Sequence, residues 1–133
     1  MKRRLAVWIA MVALLACRRR LAGPELPADA HVATDGSRWT QLKAGEGKRG
    51  ADSVWWSLDW REVPCQSEQC EHVYNGRADI RIYDPFRANV LQMREGEVRR
   101  IWRRAGDGYA VYDVHLERVY EVDGKGEPII PHD

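Results

Sequence analysis

Between residues 110 and 122 apolar and polar residues alternate with period two. Ala110, Tyr112, Val114, Leu116, Tyr120 and Val122 share one parity, and Asp113, His115, Glu117 and Glu121 share the other. Successive side chains of a β-strand point to opposite faces, so this stretch specifies a strand with one buried and one wet face. Arg118 breaks the apolar parity, which predicts a bulge or a hairpin near Leu116 to Arg118. The alternation recurs in Val54, Trp56, Leu58 and Trp60 against Ser53, Ser57, Asp59 and Arg61, and in Ala78, Ile80 and Ile82. Turn formers separate these runs at Asn75-Gly76, Asp84-Pro85, Glu95-Gly96, Gly106-Asp107-Gly108 and Asp123-Gly124-Lys125-Gly126. A chain of 133 residues has room for one small core. The expected fold is mainly β, a small antiparallel meander forming a sandwich or a partly closed barrel.

Residues 84–105 fit two patterns. Asp84-Pro85 is a helix start signal, and Val98, Ile101, Trp102 and Ala105 fall at helical spacing, which gives an α+β alternative with one helix at about 85–104. Against it, Arg87, Arg94 and Glu97 would project into the apolar arc, and Gly96 costs a helix interior about 1 kcal/mol. The preferred reading is a hairpin, with strands at Val90 to Met93 and Val98 to Trp102 around Arg94 to Glu97.

The N-terminus reads as an address. Lys2, Arg3 and Arg4 precede an apolar run from Leu5 to Ala16, the layout of a secretory signal peptide. The run is much shorter than the roughly 20 residues of a membrane-spanning helix. Its end, Leu14-Leu15-Ala16-Cys17, resembles the lipobox of bacterial lipoproteins, with Leu15 departing from the commoner small or β-branched residue. The resemblance implies cleavage before Cys17, palmitate-type acylation there, and a lipid-anchored protein facing the periplasm. Arg18, where an inner-membrane retention signal would carry aspartate, favours the outer membrane. The implied organisation is a signal peptide at 1–16, a lipidated N-terminus and flexible tether at 17–38, and a small β domain at 39–133.

Cys65 and Cys70 form an even pair at short spacing, and in an oxidising compartment they read as a disulfide contributing about 2 kcal/mol. With His72 they supply three ligands of the four that structural zinc needs, so no metal is expected, and no motif calls for a cofactor. Lys plus Arg total 21 against 20 Asp plus Glu, which argues against a dedicated nucleic-acid binder. No serine lies in a nucleophile elbow. Asp59, Glu62, Asp113 and Glu117 are strand-borne carboxylates that a fold could pair for glycan hydrolysis, although solvated strand faces account for them as well.

Two features point to binding. From Arg77 to Arg104 there are eight arginines and a local excess of +4, whereas Ala105 to Asp133 carries an excess of −5. Arg99, Arg100 and Arg103 are candidate contacts of a charged partner, with pairing across the sheet as the alternative. Trp55, on the polar parity, is a candidate interface anchor, with packing beneath the loop at 43–52 as the alternative. Ser67 and Glu68 would sit at the tip of the stapled loop, a preorganised element for insertion into a partner. The expected function is a non-catalytic protein-binding module with an envelope protein partner, such as an inhibitor or immunity protein against a cell-wall hydrolase or toxin. The alternatives are a small glycan-acting enzyme and an accessory subunit of an envelope complex.

Overall fold

The computed structural model describes residues 23–53, 55–65, 68–77 and 84–130. The strands are β1 (His31–Val32), β2 (Arg38–Lys43), β3 (Trp55–Glu62), β4 (Glu71–Arg77), β5 (Val98–Ala105), β6 (Gly108–Val119), β7 (Glu121–Val122) and β8 (Pro128–Ile129). One helix, α1 (Asp84–Val90), precedes β5. The fold is mainly β, as the alternation requires. Six strands make one open antiparallel sheet in the order β1-β2-β5-β6-β3-β4, and β7 pairs with β8 apart from it. The long alternating run is β6, whose central position gives it β3 on one side and β5 on the other.

The bulge is where Arg118 places it. Ser57 pairs with Arg118 and Leu58 with Leu116, leaving Glu117 as the extra residue. The strand then continues to Val119. Asn75-Gly76, by contrast, is no turn: both residues lie inside β4, opposite Ser57 and Trp56. Ala78, Ile80 and Ile82 lie outside the described residues.

The expected strand at Val90 to Met93 is corrected. Val90 ends α1, and the chain tightens through N–H donors of Gln92 and Met93 to the carbonyls of Asn89 and Val90 at 2.9 and 3.1 Å. Phe86, Val90 and Met93, spaced by four and three residues, present one apolar stripe to the sheet. Because the helix stops at Val90, Arg94 and Glu97 never enter its apolar arc, and Gly96 takes a left-handed φ of 94° in the following turn. Val98 to Trp102 is a strand, but β5 pairs with β2 and β6.

The core lies between α1 and one face of the sheet. Trp56, Leu58, Ile101, Val114 and Leu116 from the strands meet Val90 and Met93, all fully buried. Gly50 closes this end: a Cβ there would stand 2.0 Å from the Val90 carbonyl oxygen. Its N–H donates to the Met93 carbonyl at 2.8 Å, and its carbonyl accepts the Trp56 indole N–H at 2.8 Å.

The described part of the expected tether packs on the sheet. β1 pairs with β2, and the Trp102 indole N–H donates to the Pro24 carbonyl at 2.8 Å. Among the described residues, segments before Trp39 thus already contact the sheet. No helix among the described residues is long and apolar enough to cross a membrane.

Candidate functional site

At the far end of the core from Gly50, the helix-facing surface of the sheet is lined by aromatic rings that remain partly open. Trp60 continues the buried parity of Trp56 and Leu58 on β3. Register sets it opposite His72 of β4 and Val114 of β6, while Tyr112 of β6 faces Glu62. α1 supplies Phe86, the one phenylalanine of the chain, 4% exposed. Its ring lies 5.4 Å from Trp60 at a 55° tilt and 5.3 Å from Tyr112 edge-on at 72°. His72 stacks on Trp60 at 5.4 Å and 25°, and is exposed. Trp60, Tyr74 and Tyr112 are half-buried against the core. Such a cluster offers ring faces and edges at several orientations to an apolar ligand, with a phenol group on Tyr112 for hydrogen bonding.

Cys65 and Cys70 are disulfide-bonded, as expected, with Cα atoms 5.8 Å apart. The staple joins the end of β3 to the start of β4, beside Trp60 and His72 in sequence. Ser67 and Cys17 lie outside the described residues, and Glu68 opens a short 3-10 turn that ends at Cys70.

The arginines divide into three environments. Arg99 is 3% exposed and no partner-facing group. It pairs with buried Glu97, donates to Asn89 at 3.3 Å and to the Gln92 carbonyl at 3.4 Å, and lies 3.5 Å over the Trp39 ring. Burial pushes its guanidinium below the usual value, against the opposing pull of Glu97. Arg100 grips Asp113 through two hydrogen bonds at 2.8 and 3.0 Å, which raise its own pKa. Arg103 is half-buried near the β5–β6 turn, in a groove with Arg38 and Arg104.

Trp55 is packed rather than presented: its indole N–H donates to the Gly126 carbonyl at 2.9 Å, under the β7–β8 turn. Of the four strand-borne carboxylates, Glu62 is exposed at the end of β3 and the other three are engaged across the sheet. Asp59 pairs with His115 at 3.0 Å, Asp113 also meets Arg61 at 3.6 Å, and Glu117 accepts from the Ser57 hydroxyl at 3.3 Å. Asp59, Arg61, Asp113 and His115, with Leu42, Val73 and Val98, line a shallow groove that Trp60 and His72 also border. Among the described residues no group of three His, Cys, Asp or Glu could hold a metal ion.

No protein-family model matches the chain, and no curated protein matches it. The chain is similar to a solved structure of a peptidyl-prolyl cis-trans isomerase from Pseudomonas syringae pv. tomato str. DC3000. Identity is 22%, the TM-score is 0.48, and the match covers 80% of this chain and 92% of that one. The matched protein is by its name an enzyme, against the expectations of a non-catalytic binding module and of no enzymatic activity. At this identity and superposition the likeness assigns neither an activity nor a residue role here.

Proposed function

We propose that this chain binds proline-containing segments of exported polypeptides at the Trp60–Phe86–Tyr112 cluster and accelerates cis/trans isomerisation of the X–Pro bond. The observation that carries the reading is the position of Phe86, a buried ring in contact with two half-buried rings that face it at different tilts. Aromatic-lined sites suit the compact, apolar pyrrolidine ring. The reaction breaks no covalent bond and needs no nucleophile. The barrier is loss of amide resonance on twisting, and it falls when the bond leaves water, because the planar amide is the more charge-separated and better hydrated form. The half-buried Trp60 and Tyr112 would seat the ring and exclude water, Phe86 would hold them in place from the core, and the Tyr112 phenol would hold the carbonyl oxygen of the bond.

The place of action follows from the N-terminal address: cleavage before Cys17, acylation there, and an envelope location facing the periplasm, with the outer membrane favoured by Arg18. Uncatalysed X–Pro isomerisation takes tens of seconds or more and limits refolding, so polypeptides folding after export are suitable substrates. Exchange spectroscopy on a short Ala-Pro peptide should show faster interconversion with catalytic amounts of the chain. Phe86→Ala and Tyr112→Ala should each slow it at least about tenfold, and an unaccelerated peptide would refute the activity. For the anchor, Cys17→Ser should remove the lipid mass and release the protein from membranes; a variant that fractionates unchanged and shows no lipid mass loss would refute anchoring there.

A further inference from the structure

We propose that the substrate surface extends from the aromatic cluster into a basic groove at the end of the sheet, which selects segments with an acidic side chain near the proline. This rests on reading Trp60 and Tyr112, backed by Phe86, as the proline seat. Arg38, Arg103 and Arg104 line a groove of about 430 Å³ together with Ser37 and Tyr109. Arg49, Arg61, Arg99 and Arg100 each meet a carboxylate. Among the described residues none of the three groove arginines has such a partner, and Arg104 lies 5.7 Å over the Tyr109 ring. Asp35, the acid in the groove, is occupied by the Ser37 N–H at 3.0 Å and hydroxyl at 2.6 Å.

Register fixes the relation of the groove to the aromatic site. Ile101 pairs with Tyr112 and Arg103 with Ala110, so Arg103 shares the face of Ile101 and Tyr112, one step nearer the β5–β6 turn, while Arg38, opposite Trp102, and Arg104, opposite Tyr109, belong to the other face, so that the groove wraps the end of the sheet. Two strand residues span about 7 Å. An extended peptide with proline on Trp60 and Tyr112 would therefore bring a side chain one to three positions away to Arg103. Forked guanidinium donors match a carboxylate in geometry as well as charge. Arg103 is half-buried, which limits the order its side chain must gain on binding.

The test uses the full chain and ten-residue peptides with one central Ala-Pro bond and Glu, Gln or Lys two positions from the proline. Binding is read by fluorescence anisotropy and kcat/KM by exchange spectroscopy. At low salt the Glu peptide should bind about fivefold to tenfold more tightly than the Lys peptide, and the ratio should shrink as salt screens the groove. In Arg103→Gln/Arg104→Gln the ratio should fall toward one, and Arg103→Lys should keep part of it. Equal binding of Glu and Lys peptides, or a preference unchanged in the double variant, would overturn the assignment. Capture of the chain by phosphatidylglycerol vesicles that depends on both arginines, without a Glu preference, would overturn it in favour of a lipid surface. A Glu preference lost in the double variant, without acceleration of any peptide, would support the groove and refute the proline reading.

Discussion

The two ends of the core differ in how they are closed. At one end Trp56, Leu116, Val90 and Met93 are fully buried, and Gly50 abuts the Val90 carbonyl. At the other, Trp60, Tyr74 and Tyr112 stay half-buried, with Phe86 from the first turn of a seven-residue helix as their buried neighbour. The closed end locks helix to sheet, leaving the open end free to keep apolar surface for a ligand. Stability and function should therefore separate along the same sheet face.

That separation can be broken from either side. Arg99→Ala, in the buried network between α1 and β5, leaves Glu97 buried without its cation and should cost about 3–5 kcal/mol in chemical denaturation, because removing one partner of a buried pair strands the other. Leu58→Ala should cost about 2–5 kcal/mol by the same measurement, from lost burial and the cavity left behind. At the open end Trp60→Ala should cost less stability than Leu58→Ala yet reduce isomerisation by about tenfold or more. Equal stability losses would mean that both ends serve as core. Trp55→Phe removes the bond to the Gly126 carbonyl and should cost about 1 kcal/mol, read as a small fall in melting temperature with activity retained.

The smallest effect concerns the rim. The Lys48 ammonium, 2.8 Å from Glu121, holds that carboxyl below its ordinary value. A carboxyl depressed in the folded state contributes stability above its unfolded pKa and loses it as pH falls through the folded one. The melting-temperature difference between wild type and Glu121→Gln should accordingly be small near neutrality and shrink on acidification.

Strand identity was legible because period two is a direct image of pleating: β3, β6 and the bulge at Glu117 follow from parity, whereas β5 was reached only by setting aside a helix. Residues 84–93 misled because a seven-residue helix carries few apolar positions, and Val98 to Ala105 lent it a helical spacing that belongs to β5. Asn75-Gly76 carries a turn signal, yet pairing with β3 places it mid-strand. Trp60 and Tyr112 were legible as inward-facing but not as a site, since parity says which face a ring takes and not whether that end of the face is sealed. Phe86 could have been singled out, as the one phenylalanine beside a helix start. The burial of Arg99 was not readable, because its partners Glu97, Asn89 and Trp39 meet only when helix, turn and two strands converge.

The most direct measurement is titration of an Ala-Pro peptide into the isotopically labelled chain, followed through the indole N–H resonances. The Trp60 indole and the amides of Phe86 and Tyr112 should shift, while the Trp56 indole, bonded to Gly50 at the closed end, should not. Shifts confined to the opposite sheet face around Asp59 and His115, or none at saturating peptide, would contradict the assignment of the open aromatic end as the binding site.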